Sequence, residues 1–342
     1  MCLFRAAAHT LYAALLLLDN AGAAVAQTPA EFFKGRNVTL LIGFGVGGDD
    51  DLWGRVIAKH MGNHIPGRPI VVPQNVPGAA GLLVANRLYS VAPRDGTVIG
   101  MINRGIPFEP LLGGQGANFD VLKMNWIGSP NRDTTVCAAR KDAAVQSMRD
   151  LFDRELKIGA TGSGADTATY PEFLSAVVGM KFKVVRGYQG SHEIQLAMER
   201  NEVQGICLAY DSLARGVLFR ANELNVLLQA ALDPDPRLDN VPSGIDFVHS
   251  DEERQALELF FARAAIGRPF VAPPQIPADR VVALRRAFDE TLIDRAFLAD
   301  AEVQKLRVDL TTGQKLDEIV AKAYRTPPAI VKRTMQAMGR RN

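Results

Sequence analysis

The chain has 342 residues, 47% of them hydrophobic, with 39 basic against 37 acidic side chains and a formal net charge of +2. That is enough chain for one large domain, or two of ordinary size, each with a substantial core. The charges are scattered, without a basic stripe or a block of one sign, so there is no footprint for a nucleic-acid partner.

The first 26 residues differ from the rest. Arg5 and His9 precede an apolar run, Leu11 to Leu18, and small residues lead to Ala24-Val25-Ala26. A basic start, a short apolar stretch and an Ala-x-Ala site make a secretory signal peptide over residues 1–26. The run is too short to span a bilayer. The expectation is a soluble, periplasmic mature chain starting near Gln27; the alternative is an uncleaved N-terminal anchor. Cys2 would leave with the peptide, and the remaining pair, Cys137 and Cys207, can form a disulfide in an oxidising compartment or stay as two buried thiols.

Strand and helix patterns then alternate. Val38–Ile42, Ile70–Val72 and Val98–Ile102 are short apolar runs bounded by Gly, Pro or Asp, as buried parallel strands are. Between them, Leu52, Trp53, Val56, Ile57 and Met61 share one helical face, and Leu82, Leu83, Asn86 and Tyr89 another. This βαβ order predicts a parallel sheet with helices on both faces, an α/β fold.

The pattern pauses around Met124 to Asp133 and resumes. Strands are expected at Thr134–Ala139, Leu156–Ala160, Phe182–Val185, Gly205–Ala209 and Asn225–Ala230. They alternate with helices near Ser147–Phe152, Thr167–Val178, His192–Arg200 and Asp211–Phe219. After a Pro- and Asp-rich loop, Asp233–Pro242, the remainder reads as helix: Asp251–Ala265, Pro277–Ile293, Arg295–Lys305 and two more. Two α/β units result. Domain 1 is discontinuous, residues 27–131 and 232–342, and domain 2 is residues 132–231, with a ligand cleft where the strand ends face each other.

Glycine-rich turns recur where strands pass into helices. Gly43-Phe44-Gly45-Val46-Gly47-Gly48 spells the dinucleotide fingerprint, but the acid expected about 20 residues on is missing and three aspartates, Asp49 to Asp51, occupy the pyrophosphate position. No Gly-Lys-Ser/Thr follows, so it is not a P-loop either. Carboxylates in a first helical turn also complement the helix dipole. Pro77–Gly81, Gly159–Asp166 and Gly187–Ser191 are further turns of this kind. One shared anion-binding cleft explains four at equivalent positions better than four unrelated turns do.

Catalytic machinery is not evident. Ser163 lacks the frame of a nucleophile elbow. His60 and His64 lack the zinc-protease pattern and read as surface histidines, while His192 sits at a helix start as a cap or a ligand contact. No metal or cofactor is expected.

The chain resembles the substrate-binding receptors of tripartite tricarboxylate transporters, the TctC or Bug-type family. The residues that carry the resemblance are Gly47-Gly48-x-x-Asp51-x-x-x-Arg55, Asn75-x-Pro77-Gly78-Ala79-x-Gly81, Ala92-Pro93-x-Asp95-Gly96-Thr97, the Gly159–Gly164 turn, Tyr188-x-Gly190 and Pro273-Pro274-x-x-Pro277-Ala278-x-Arg280-Val281. The resemblance implies a two-domain periplasmic-binding-protein fold of the flytrap, type II kind. It also implies a small carboxylate ligand, a membrane permease as partner, no cofactor and a monomer. Carried onto this chain, it implies ligand contacts from Val46, Gly47, Gly48, Asp49, Asp50 and Asp51, and from Gly78, Ala79 and Ala80. In the second unit they come from Thr161, Gly162, Ser163, Tyr188, Gln189, Gly190 and Ser191. Asp49-Asp50 departs from the small, hydroxylated or aromatic residues usual there, which puts a simple dicarboxylate in question. The alternatives are an exported hydrolase using the same cleft, and a sensor input protein.

Overall fold

The computed structural model describes residues 27–340 apart from 133, 163, 232 and 233. The signal peptide, with Cys2, and the candidate ligand residue Ser163 lie outside the described residues.

The chain opens with a short helix, α1 (Pro29–Phe33), and enters the first sheet through β1 (Asn37–Ile42), α2 (Asp49–Met61), β2 (Ile70–Asn75), α3 (Leu82–Ser90) and β3 (Val98–Met101). These three strands are parallel, as the βαβ pattern requires. The next strand, β4 (Asn125–Ser129), lies where the sequence pattern pauses.

The chain then builds a second sheet from β5 (Thr135–Arg140), α4 (Asp150–Asp153), β6 (Leu156–Ala160), α5 (Asp166–Val178), β7 (Phe182–Arg186), α6 (Ser191–Glu199), β8 (Gly205–Ala209), α7 (Tyr210–Ala214), α8 (Val217–Arg220) and β9 (Leu224–Ala230). Beyond it come α9 (Asp251–Phe261), β10 (Phe270–Ala272), α10 (Ala278–Ile293), α11 (Arg295–Val303), β11 (Thr311–Thr312), α12 (Gly313–Ala323) and α13 (Pro328–Ala337). The sheet orders are β11-β4-β10-β3-β1-β2 and β7-β6-β8-β5-β9.

Both sheets are mixed, which corrects the all-parallel expectation. β10 runs antiparallel to β3 and β4, and β5 runs antiparallel to β8 and β9. Period and burial fix that a segment is a strand but not its direction. Buried from Thr135 to Ala139, β5 reads the same either way. The helix expected over 211–219 is broken at Gly216, which caps α8. A Cβ there would lie 1.9 Å from Gln195 Oε1 on α6, so the chain turns before continuing.

Each sheet is covered on both faces. On the first, Trp53, Ile57 and Met61 of α2 pack with Leu284 and Phe288 of α10 and Phe297 of α11. Its other face holds Val84 and Leu88 of α3 with Leu316 and Val320 of α12. On the second, Tyr170, Phe173 and Leu174 of α5 pack with Phe260 and Phe261 of α9, the Phe173 and Phe260 rings stacking at 4.0 Å. Ile194 and Met198 of α6 cover the opposite face with Leu213 of α7. The α9 helix lies beyond the crossing read near 232, yet its apolar face belongs to the core of the second sheet.

Cys137 of β5 and Cys207 of β8 stand directly opposite in the antiparallel register and are joined as a disulfide. His60 corrects another expectation. It is buried, its Nε2 lies 2.7 Å from Asp300 Oδ2 and its ring meets Phe297 edge-on, because α11 folds over the end of α2. Among the described residues no cluster of acids, histidines and cysteines has a metal site's arrangement, and no helix is long and apolar enough to cross a membrane.

Candidate functional site

A cavity of about 100 Å³ lies where the two sheets face each other. Strand ends and loops from both lobes line it: Phe44, Gly45 and Gly48 to Asp50 after β1, Ile102 to Arg104 after β3, Thr161 and Ala165 to Thr167 after β6, Gln189 to Ser191 after β7, Leu208, Ala209 and Ser212 around the end of β8, and Gly267-Arg268 before β10. Gly48, Ala165 and Gly190, which line it, are the N-cap residues of α2, α5 and α6, helices of 13, 13 and 9 residues. None of the three carries a side-chain cap. First-turn N–H groups with no side-chain acceptor, backed by a helix dipole, form an anion-binding arrangement; here three converge on one space.

The loop after β1 is held by residues that do not themselves line the cavity. Asp51 accepts from the Gly47 amide at 2.9 Å, from Arg55 Nε at 3.0 Å and from Asn75 Nδ2 at 2.7 Å, and Asn75 Nδ2 also donates to the Phe44 carbonyl. Burial alone would raise the Asp51 carboxyl; the hydrogen bonds from Arg55, Gly47 and Asn75 outweigh it and hold it below its ordinary range. Gly43 and Gly81 make the two turns of this lobe fit: a Cβ on Gly43 would sit 2.5 Å from the Gly81 Cα. The Asp95 carboxylate closes its own turn by accepting from the Thr97 amide and hydroxyl. These sequence motifs are therefore scaffold.

Charged groups are concentrated at the cavity wall. Asp49 pairs with Arg268 and Arg215 and accepts from Ser212 Oγ at 2.7 Å. Arg268 Nε also donates to Asp50 at 3.1 Å, and its Nη2 to Ser212 at 3.0 Å. Arg104 Nε donates to Asp166 Oδ2 at 2.5 Å and its Nη2 to Thr135 at 2.6 Å. Asp49–Arg215 and Arg104–Asp166 tie one lobe to the other. Burial pushes the Asp50 carboxyl above its ordinary range against the pull of Arg268. Burial, with Arg268 nearby, lowers Arg215 to about 10. Asp166 is 9% exposed, and its Oδ1 has no hydrogen-bond partner. Among the described residues, no other buried side-chain atom lacking a partner belongs to the cavity wall.

Of the residues expected from the sequence, Gly48, Asp49, Asp50, Thr161, Gln189, Gly190 and Ser191 line this cavity. Thr161 is engaged with Thr167: its amide donates to Thr167 Oγ1 at 3.0 Å and the two hydroxyls lie 3.2 Å apart. Val46 and Gly47 are exposed on the loop's outer side, and Asp51 faces Arg55 and Asn75. Gly78, Ala79, Ala80 and Gly162 stand outside the lining. A Cβ on Gly162 would come within 3.8 Å of the Ala79 Cα, so the two lobes touch there beside the cavity. Tyr188 packs onto the second sheet near Ile194 and Gly159. His192 is exposed and does not line the cavity.

Sequence reasoning missed Asn103, Arg104, Asp166, Ser212, Arg215 and Arg268. Asn103-Arg104 had a signal, since polar residues directly follow the expected strand Val98–Ile102. Arg268 had none, because it precedes a strand of only three residues.

No family model matches the chain. It is 28% identical over 188 residues to a UPF0065 protein from the gbd 5′ region of Cupriavidus necator, covering 53% of this chain and 56% of that one. The chain thus spans about half the length of that relative. A UPF0065 protein of Bordetella pertussis is 27% identical over 262 residues, 74% of this chain and 76% of the relative. Solved structures share the fold. MatC from Rhodopseudomonas palustris with bound malate superposes with a TM-score of 0.69 at 16% identity, over 90% of this chain and 100% of that one. The periplasmic binding protein BugD gives 0.68 at 16% identity, over 89% and 98%. R. palustris Rpa4515 with adipate gives 0.67 at 19% identity, over 89% and 98%.

The fold is the two-domain α/β architecture of periplasmic binding proteins. The relatives carry the UPF0065 name, and the fold neighbours include the periplasmic binding protein BugD and a TctC solute-binding protein from Polaromonas.

Proposed function

We propose that this chain is an exported, periplasmic receptor that captures a small carboxylate between its lobes and hands it to the membrane permease of a tripartite tricarboxylate-type transporter. The observation that carries the reading is the convergence of three helix N-caps, Gly48, Ala165 and Gly190, on one cavity. Small uncapped residues leave the first-turn N–H groups to a ligand carboxylate. The malate in MatC and the adipate in Rpa4515 agree with this choice of ligand class. On this reading the lobes are domains joined by crossings near 130 and 232, and they close on the ligand.

The hydrolase alternative finds less support. Ser191 and Ser212 line the cavity, but among the described residues no histidine or cysteine does. Ser212 Oγ donates to Asp49, leaving it without an imidazole base.

The test is a thermal-shift screen of carboxylic acids on the chain from Gln27. A ligand at 100 times its Kd stabilises the folded state by about 2.7 kcal/mol, and the melting midpoint should rise by several degrees for one or more acids. No shift with any acid of the screen would remove the reading.

A further inference from the structure

Three polar side chains meet beside the cavity, where the two lobes and a chain crossing come together. Asp166 and Tyr170 are four residues apart on α5 and share a face of it. Arg263 lies in the segment that leads from α9, packed in the second core, to β10 of the first sheet. Its Cζ is 6.0 Å from the centre of the Tyr170 ring and 5.9 Å from that of Phe108, a residue of the first core. Arg104 of the first lobe stands 5.9 Å from the Tyr170 ring centre and holds Asp166 Oδ2. Tyr170 and Arg263 are fully buried and Asp166 is nearly so.

Each of the three keeps one polar atom with no hydrogen-bond partner among the described residues: Asp166 Oδ1, the Tyr170 hydroxyl and Arg263 Nη2. The hydroxyl comes up to Thr135, whose Oγ1 is taken by Arg104, without bonding to it. Arg263 Nε donates to the Phe260 carbonyl at 3.1 Å and Nη1 to Thr169 Oγ1 at 3.4 Å, which leaves Nη2 over. None of the three atoms has surface open to water, so solvent cannot satisfy them while the lobes are together. Buried polar atoms are nearly always paired, and leaving one unpaired is costly, most of all on a charged group. The seal over Arg263 comes from the first lobe: a Cβ on Gly105 would lie 3.0 Å from its Nη1.

We infer that Asp166, Tyr170 and Arg263 are positioning residues that oppose closure of the lobes. Parting the lobes draws Arg104, Gly105 and Phe108 away from this face and lets water onto it. The closed state therefore sets the pairs Arg104–Asp166 and Asp49–Arg215 against three unsatisfied atoms. The unliganded protein rests open, and ligand contacts supply the difference. Closure itself belongs to the receptor reading; the inference rests on it and names the residues that set its balance.

Small-angle scattering of the unliganded protein is the first test. The native radius of gyration should exceed that of the closed lobes. Tyr170→Phe keeps the ring against Phe260 and Phe261 and removes one unsatisfied hydroxyl, so it should bring the radius down towards the closed value. Arg263→Met should move it the same way. Calorimetry with malate, adipate and the acid that gives the largest thermal shift is the second test, and Tyr170→Phe should bind about three- to tenfold tighter than the native protein. A purely structural role would raise the unfolding midpoint and leave radius and affinity where they were. A native radius already at the closed value would overturn the inference, as would a Tyr170→Phe protein whose radius stays native or which holds a bound acid no tighter. In each of those cases acids that bind leave the receptor reading standing. Binding of no acid by native protein and variants alike would sink that reading, while the scattering of unliganded protein would still decide the inference.

Discussion

Replacing Arg268 with alanine is expected to cost about 3–5 kcal/mol of stability at neutral pH, the range for removing one partner of a buried ion pair. Arg268 is 8% exposed and serves Asp49, Asp50 and Ser212 together. Without it, among the described residues, Asp50 keeps no hydrogen-bond partner, with the more distant charge of Arg104 still acting on it, and Asp49 keeps Arg215 and Ser212. The exposed Lys315–Glu318 pair makes a useful contrast, since such pairs contribute about 0–1 kcal/mol. Arg268→Lys should fall between, because a lysine keeps the charge but not the fork that spans two carboxylates.

The deficit should also depend on pH. The Asp50 carboxyl in the folded protein lies above its ordinary value, first through burial. Its contribution to stability is therefore fullest below the unfolded-state pKa and is lost as pH rises through the folded-state value. Removing Arg268 takes away the main pull in the other direction and moves the folded value further up. The gap between native and variant should narrow as pH falls from 7 towards 4. Urea unfolding across that range checks this; a gap that stays constant would contradict it.

Loss of the disulfide is the second large effect. Cys137 and Cys207 are separated by 70 residues, so the link closes a long loop in the unfolded chain and contributes about 4 kcal/mol in the chain-entropy treatment. Both sulfurs are buried in the core of the second sheet, so the paired change to alanine also removes packed volume. The doubly substituted protein should unfold at clearly lower denaturant than the native one, and reductant should shift the native protein towards it while leaving the variant unmoved. An unfolding midpoint indifferent to both treatments would show that the link adds nothing.

Much of the architecture was legible because its signals are local. The strands Val38–Ile42 and Leu156–Ala160 stand out as short apolar runs, and α10 as a stripe of Val281, Leu284, Phe288 and Leu292. What was hidden is non-local. β10 has three residues between Pro269 and Pro273, and β11 has two; neither is long enough to show a period. They are strands because β4 and β3 supply partners from distant parts of the chain.

The candidate site divides the same way. Turns after parallel strands announced themselves through glycine, so Gly48, Thr161 and Gly190 were found. The arginines that neutralise Asp49 and Asp50 were not, because charge compensation is a property of the assembled cavity. Asp51 was read as one of three like acids, whereas its neighbours Gly47, Arg55 and Asn75 make it a brace for the loop. Position in a motif did not separate the acid that builds the site from those that face into it.

The central claim is that one cavity between the lobes holds the ligand, and filling that cavity tests it most directly. Gly190 lines the space, its φ of −166° is extended backbone that any residue can adopt, and a Cβ there would meet nothing within 4 Å. Gly190→Leu, whose four side-chain carbons suit a space of about 100 Å³, should therefore keep the fold and occupy much of the ligand's place. Titration by calorimetry, using the acid that gives the largest thermal shift, should show one-to-one binding to the native protein. It should give little or no binding heat with the variant, whose unfolding midpoint without ligand should fall only by the small cost of losing a glycine N-cap. One-to-one binding of undiminished affinity in Gly190→Leu would place the ligand elsewhere and contradict the account.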